Sequence, residues 1–210
     1  MVTERTDQRR EAGQRTRDGL LAATVELLAQ RGQEGVTLRE ITDHAGANVS
    51  AVSYHFGSLR TLCDSAIEHA LEQYLDAQTA AVASLGDPSS VEDLAAAFTR
   101  PMMRALAAGG SQLAVIRTVA RVGINPPEGW GRLTEKFQQS RRDLVRRLSA
   151  NLPGVGEQEL EFRIRCAAGL LNWLALAPIG AELAAEPPEK IERWLVPVLA
   201  GAFRGSPSMP

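Results

Sequence analysis

TLREITDHAGANVSAVSYHF, residues 37–56, reads as two short helices joined by a tight turn. Thr37 is a good helix N-cap, and Glu40 three residues later completes a capping box in which two free backbone donors are satisfied reciprocally. Leu38, Ile41 and Ala45 fall on one helical face, and Gly46 stands where a left-handed residue ends a helix at least cost. Asn48 caps a second helix of about two turns, closing on Tyr54 and Phe56 with Gly57 behind. Two capped helices around an Ala-Gly turn predict a helix-turn-helix, the unit that carries its second helix into the major groove of DNA. An ordinary helical hairpin is the competing reading.

The flanks extend the pattern. LLAATVELLAQRG (20–32) precedes the unit and GSLRTLCDSAIEHAL (57–71) follows it. A first helix closed by Gly32, a Thr37-capped second helix, the Ala45-Gly46 turn, the run from Asn48 to Tyr54-His55-Phe56, then Gly57-Ser58 and a fourth helix occur in order. Residues 14–75 thereby resemble the N-terminal DNA-binding region of the TetR/AcrR family of transcriptional regulators. The resemblance implies an all-α protein of about nine helices. Residues 1–57 would form the N-terminal arm and three-helix DNA-binding domain, and 58–210 a helical ligand-binding and dimerisation domain. Two positions depart from the family pattern. Ser53 stands where an aromatic residue is usual, and Leu59, with Arg60 beside it, where a lysine usually meets backbone phosphate.

The expected DNA contacts follow. Val49, Ser50 and Ser53, on the first exposed turns of the second helix opened by Asn48, are the candidates for base edges. The resemblance assigns Thr37, Tyr54 and His55 to phosphates, with Arg60 as a substitute for the lysine. For Tyr54 the alternative is packing against the first helix, and for His55 simple solvent exposure. Serines and a valine read bases weakly, so DNA shape and phosphate positioning must share the work. A single short helix also gives little specificity, so a homodimer on a palindromic operator is expected.

Bulk properties agree with a helical protein that is not strongly basic. The chain has 210 residues, 44% hydrophobic and 5% aromatic, with a net charge of −2. Non-specific attraction to DNA should therefore be modest. Arg5, Arg9, Arg10, Arg15 and Arg17 suggest a flexible arm reaching for phosphates or the minor groove, or a plain disordered tail. Cys63 and Cys166 read as buried structural thiols of a cytoplasmic protein, and no secretory signal or membrane span is evident. His44, His55 and His69 do not form a metal site, no catalytic constellation is discernible, and no cofactor is expected.

Past the fourth helix, Gly86-Asp87-Pro88 breaks the pattern, and Ser90 with Asp93 caps the next helix, in which Pro101 predicts a kink or a break. Gly109-Gly110 ends it, and helices follow from Ser111, Trp130, Glu157 and Pro188. Phe98, Met102, Met103, Leu113, Ile116, Trp130 and Phe137 are candidates to line an apolar effector pocket, with Arg117, or Arg104 or Arg121, to orient an anionic group. Plain core packing competes at each position. Arg141, Arg142, Arg146 and Arg147 read as a solvated face. Leu170, Trp173, Leu174 and Ala177, with Trp194, Val198 and Gly201, form two stripes expected to pair with a second copy as a four-helix bundle. The function implied is a ligand-responsive repressor, released from DNA by a small apolar or amphipathic molecule. A regulator of the same fold without such a trigger, or an activator, is the alternative, and a small helical enzyme a more distant one.

Overall fold

Side-chain caps set most helix boundaries in the computed structural model, which describes residues 2–125, 131–177, 182 and 185–205. Nine α-helices occur among the described residues, with one 3₁₀ turn (Gln33–Gly35) and no strand. They are α1 (Val2–Arg31), α2 (Leu38–Ala45), α3 (Val49–Phe56), α4 (Leu59–Ala83), α5 (Val91–Ala108), α6 (Gly110–Ile124), α7 (Gly131–Asn151), α8 (Glu157–Leu176) and α9 (Pro188–Arg204). The Thr37 hydroxyl accepts the Glu40 N–H, while the Glu40 carboxylate takes the Thr37 N–H at 3.0 Å. Ser90 and Asp93 repeat this box at the start of α5, Asn48 accepts from the Ser50 N–H, and Ser58 from the Thr61 N–H. Local chemistry alone decides these ends.

Gly46 closes α2 at φ 59° and ψ 31°, the left-handed conformation. A Cβ built there meets nothing within 4 Å, so any substitution cost comes from the backbone, not from crowding. Gly46→Ala should therefore destabilise the protein by about 1 kcal/mol, and Gly46→Asn by less, because Asn tolerates this region. Equilibrium urea unfolding of the two variants checks the order.

Two expectations about the helices fail. The arginine-rich N-terminal residues extend α1 back to Val2 instead of forming a flexible arm. The stretch is dense in helix-favouring Arg, Gln, Glu and Ala, and Gln14 reaches Asp18 at 2.8 Å one turn on. Pro101 does not break α5, which runs on from Val91 to Ala108. Residues on both sides of Pro101, from Leu94 and Phe98 to Met102 and Ala105, are buried in one cluster, and their packing outweighs the single missing hydrogen bond.

Two apolar clusters organise the chain. The first joins α1, α2 and α3 to the first half of α4, with Leu20, Ile41, Leu62 and Leu71 fully buried. The second holds α5, α7, α8 and α9 together around Leu94, Leu148, Leu160 and Phe203. α4 runs through both, contributing Leu62 to Leu71 to one and Ala81 and Val82 to the other, and Tyr74 touches each. α6 does the same, since Ala114, Val119 and Val122 face the first cluster and Ile116 and Ala120 the second.

Polar contacts reinforce that second bridge. The Thr118 hydroxyl, buried, donates to the Val25 carbonyl at 3.1 Å. Arg121 donates to the carbonyls of Ala29 (3.2 Å) and Gln30 (2.9 Å), where the last turn of α1 leaves acceptors unused. On the far side of the chain, Arg147 ties α7 to the Gly86 carbonyl at 3.1 Å and to Asp143, so this arginine does not belong to a solvated face. Arg146, by contrast, pairs with Asp143 in the open. The thiols also divide. Cys63 is buried, which raises its pKa to about 11, whereas Cys166 is exposed, contrary to the expectation of two buried thiols.

Candidate functional site

The outward face of α3 is the first feature of interest. Val52 and Phe56, one turn apart, are buried and anchor the helix on α1 and α4. At 100° per residue the opposite side then carries Val49, Ser50, Ser53 and Tyr54, all exposed. Tyr54 is 84% exposed, which removes the alternative of packing against the first helix. His55 is half-buried, its ring edge-on to Tyr54 at 4.8 Å between centroids and close to Gly13 of α1. The Arg17 guanidinium lies 5.2 Å from the centre of the Phe56 ring, so this arginine braces α3 from α1.

The remaining candidates are placed less uniformly. Thr37 is exposed, but its hydroxyl is engaged by Glu40, and hydrogen bonds from Thr37 and Arg31 hold the Glu40 carboxyl below its ordinary range. Arg60 is exposed and borders a cleft between the end of α1 and α6, while Leu59 beside it packs half-buried on the first cluster. Arg39 was not singled out by sequence reasoning. It lies beside Asn48 and Val49 around a shallow depression, and its exposed side chain, 3.7 Å from Asp43, supplies positive charge next to the outward face of α3. Its position one residue into a capped helix is the signal that would have found it. His44 clamps α2 to α1 through Glu26 at 2.7 Å.

A cavity of about 400 Å³ opens among α4, α5, α6, α7 and α8. Phe98 and Phe137 line it. Met102, Met103 and Ile116 do not; they are buried in the second cluster, where α5 turns them and α6 turns Ile116 toward neighbouring helices. Leu113 and Arg117 also lie off the cavity, because a helical turn places Arg117 roughly opposite Val119, Val122 and Gly123, the residues of α6 that reach it. Trp130 lies outside the described residues. Sequence reasoning missed the polar lining, namely Tyr74 and Gln78 on α4, Gln138 and Arg141 on α7, and Arg165 and Asn172 on α8. Gly123 is the one local signal, since a Cβ there would come within 2.3 Å of the Asn172 amide.

The last two helices carry an open apolar face. Phe162, Trp173, Trp194 and Val198 are 52–66% exposed, with Cys166, Gly169 and Gly201 exposed between them. Leu170 and Ala177 are half-buried. Leu174 is not on this face: it is buried in the chain's own core beside Leu171, one helical step round from Trp173. Among the described residues no three potential ligands gather as a metal site, and no helix is long and apolar enough to cross a membrane.

Family comparison decides what this architecture is. The model for bacterial regulatory proteins of the tetR family matches residues 20–65, and that for the tetracyclin repressor-like C-terminal domain matches residues 96–202. The chain belongs to the TetR family. It is a DNA-binding transcriptional regulator and not an enzyme. This TetR-family chain is 32% identical over 88 residues to the HTH-type transcriptional repressor NicS of Pseudomonas putida, a match that spans 42% of either chain. Among solved structures it resembles AibR in complex with isovaleryl coenzyme A and operator DNA, with a TM-score of 0.67, 18% identity, and coverage of 90% of this chain and 98% of AibR. A transcriptional regulator from Rhodococcus sp. Rha1 gives 0.61, 23%, 92% and 99%, and KstR2 of Mycobacterium tuberculosis gives 0.60, 19%, 88% and 93%. At these identities the structural likeness establishes the fold alone.

Proposed function

We propose that this TetR-family regulator is a repressor that binds a palindromic operator as a homodimer and is released when a small amphipathic molecule fills the cavity among α4 to α8. The observation that carries the reading is the open apolar face of α8 and α9. Two indoles, a phenylalanine and a valine exposed together on two adjacent helices are unusual for a solitary chain, and small Gly169 and Gly201 allow close helix approach. Two copies meeting there would present two α3 faces to DNA, one per half-site. Residues 1–57 would then read the operator and 58–210 would sense and pair, inside the cytoplasm. NicS is a repressor by name, and AibR has been crystallised with an acyl ligand and DNA together, a precedent for one such chain holding both.

The coupling we propose uses both bridging helices. α4 carries the DNA-reading unit, and α6 joins the cavity wall (Val119, Val122) to the end of α1 through Thr118 and Arg121. A ligand that prefers a form with the heads spread shifts the population, and near-complete release needs about 5.5 kcal/mol of preference. Arg121→Ala removes two hydrogen bonds to α1 from a partly exposed guanidinium. It should cost about 1 kcal/mol of stability and reduce effector-induced release several-fold while operator affinity without effector changes less than threefold. Fluorescence anisotropy with and without effector separates these effects.

Random-site selection followed by sedimentation of the complex tests the whole proposal. It predicts an inverted repeat with half-sites about one helical turn apart, bound by an even number of chains. A solitary chain in solution, or no sequence preference, removes it. Operator position relative to the promoter distinguishes repression from activation.

A further inference from the structure

The cavity is lined by an unequal set of polar groups. Its described lining contains two arginines, Arg141 and Arg165, and no aspartate or glutamate. Arg141 is half-buried, its guanidinium 5.5 Å from the centre of the Phe137 ring, and among the described residues it makes no hydrogen bond or ion pair. Arg165 is exposed at the mouth, and the carboxylate within its reach, Glu161, is 3.5 Å away. One long, solvent-exposed ion pair thus serves two guanidiniums. Each guanidinium offers five N–H donors and stays charged, so a sheltered arginine without an acceptor is costly unless something else supplies one. Burial and the neighbouring Arg165 push the Arg141 pKa down, and Tyr74 and Glu161 offset this only in part.

Tyr74 adds a further donor. Its oxygen accepts from the Gln78 amide at 3.1 Å, and among the described residues its own proton has no acceptor. Burial raises its pKa to about 12, so that proton is retained. The rest of the lining includes an apolar surface formed by Phe98, Val119, Val122 and Phe137, the last of these beside Arg141. Charged donors next to hydrocarbon, with no acid anywhere in the described lining, describe a receptor for one chemical class.

We infer that the effector of this protein is an anionic amphiphile, whose carboxylate or equivalent acid group is held by Arg141, Arg165 and the Tyr74 hydroxyl while its apolar body lies against Phe98 and Phe137. The inference rests on the proposal that this cavity is the effector site. A neutral analogue leaves the arginines unmatched, and a cation is repelled by both. Bidentate pairing of a planar carboxylate with a guanidinium gives the orientation, and the sheltered site strengthens it.

Calorimetric titration of the full-length protein with octanoate, decanoate and 4-phenylbutanoate, each beside the alcohol and the amine of the same skeleton, tests this. At least one acid should bind ten-fold or more tighter than its alcohol, with the amine weaker still. Arg141→Gln should lose at least ten-fold in affinity for that acid, Arg141→Lys should keep part of it, and Arg165→Gln should lose less. Arg141→Gln should leave the melting temperature of the free protein unchanged or raise it, whereas an arginine kept for structure would lower it on removal. Alcohols or amines binding as tightly as the acids, no acid binding at millimolar concentration, or an Arg141→Gln protein that binds the acid normally overturns the inference. An acid that binds through Arg141 without altering operator affinity supports the anionic class and removes the release mechanism instead, so the two failures are distinguishable.

Discussion

Arginine at both Trp173 and Val198 should convert the proposed homodimer to monomers and lower operator affinity by at least 100-fold. Both side chains stand on the open apolar face, 53% and 55% exposed, so neither replacement disturbs the chain's own core. In a symmetric dimer each substitution is duplicated, placing four guanidiniums in one interface without acceptors, at several kcal/mol for each charge that cannot reach water. A single half-site then gives little more than phosphate attraction, which the net charge of −2 keeps weak. Sedimentation velocity reads the assembly and anisotropy the affinity. Cys166 provides an independent report, because it lies on the same face. A polar thiol reagent should modify it slowly in the parent protein and quickly in the variant, while buried Cys63 stays protected in both. A variant that remains dimeric with Cys166 unchanged would show that the chains meet elsewhere.

Phe203→Ala should be the most damaging core truncation, costing about 3–5 kcal/mol and lowering the melting temperature by roughly 6–20 °C. Phe203 has no exposed surface and stands edge-on to Phe98 at 5.7 Å between ring centres. Removing it leaves a hole between α5 and α9 that these packed helices cannot close. Because Phe98 also lines the cavity, the variant should bind any effector more weakly as well. Tyr54→Ala is the matching control. With its ring 84% exposed, it should change stability by less than about 0.5 kcal/mol while weakening DNA binding. Differential scanning calorimetry of the pair, with fluorescence anisotropy on operator DNA beside it, would reveal whether stability and DNA reading separate as this predicts.

What could be read directly from the residues was local. Thr37 with Glu40, Ser90 with Asp93, Asn48 and Gly46 carry their helix-ending chemistry within three or four positions, and the structure uses each as read. The same locality misled where a competing influence was spread along the chain. The N-terminal arginines looked like a tail because no apolar stripe accompanies them, yet helix propensity summed over the segment extends α1 to Val2. Pro101 looked like a break because its effect is local and strong, whereas the packing that holds α5 together comes from α9 and other helices distant in sequence.

The amino-acid order therefore determines, through caps, turn glycines and apolar spacing, that the chain is helical, where most helices begin and end, and that α3 has one face to anchor and another to offer. Which apolar side chains become core and which remain open is a different matter. Trp173 and Leu174 are neighbours of similar character, and only the position of the other helices buries one and exposes the other. Met102 and Phe98 share a helix face by spacing and both are buried in the core, yet only Phe98 also reaches the cavity. Arg141 belongs to a run that looks solvated, and the packing of α4, α7 and α8 turns it toward the cavity. Periodicity specifies a direction around one helix axis; the meaning of that direction depends on what lies beyond it, and that is settled by contacts between segments far apart in the chain.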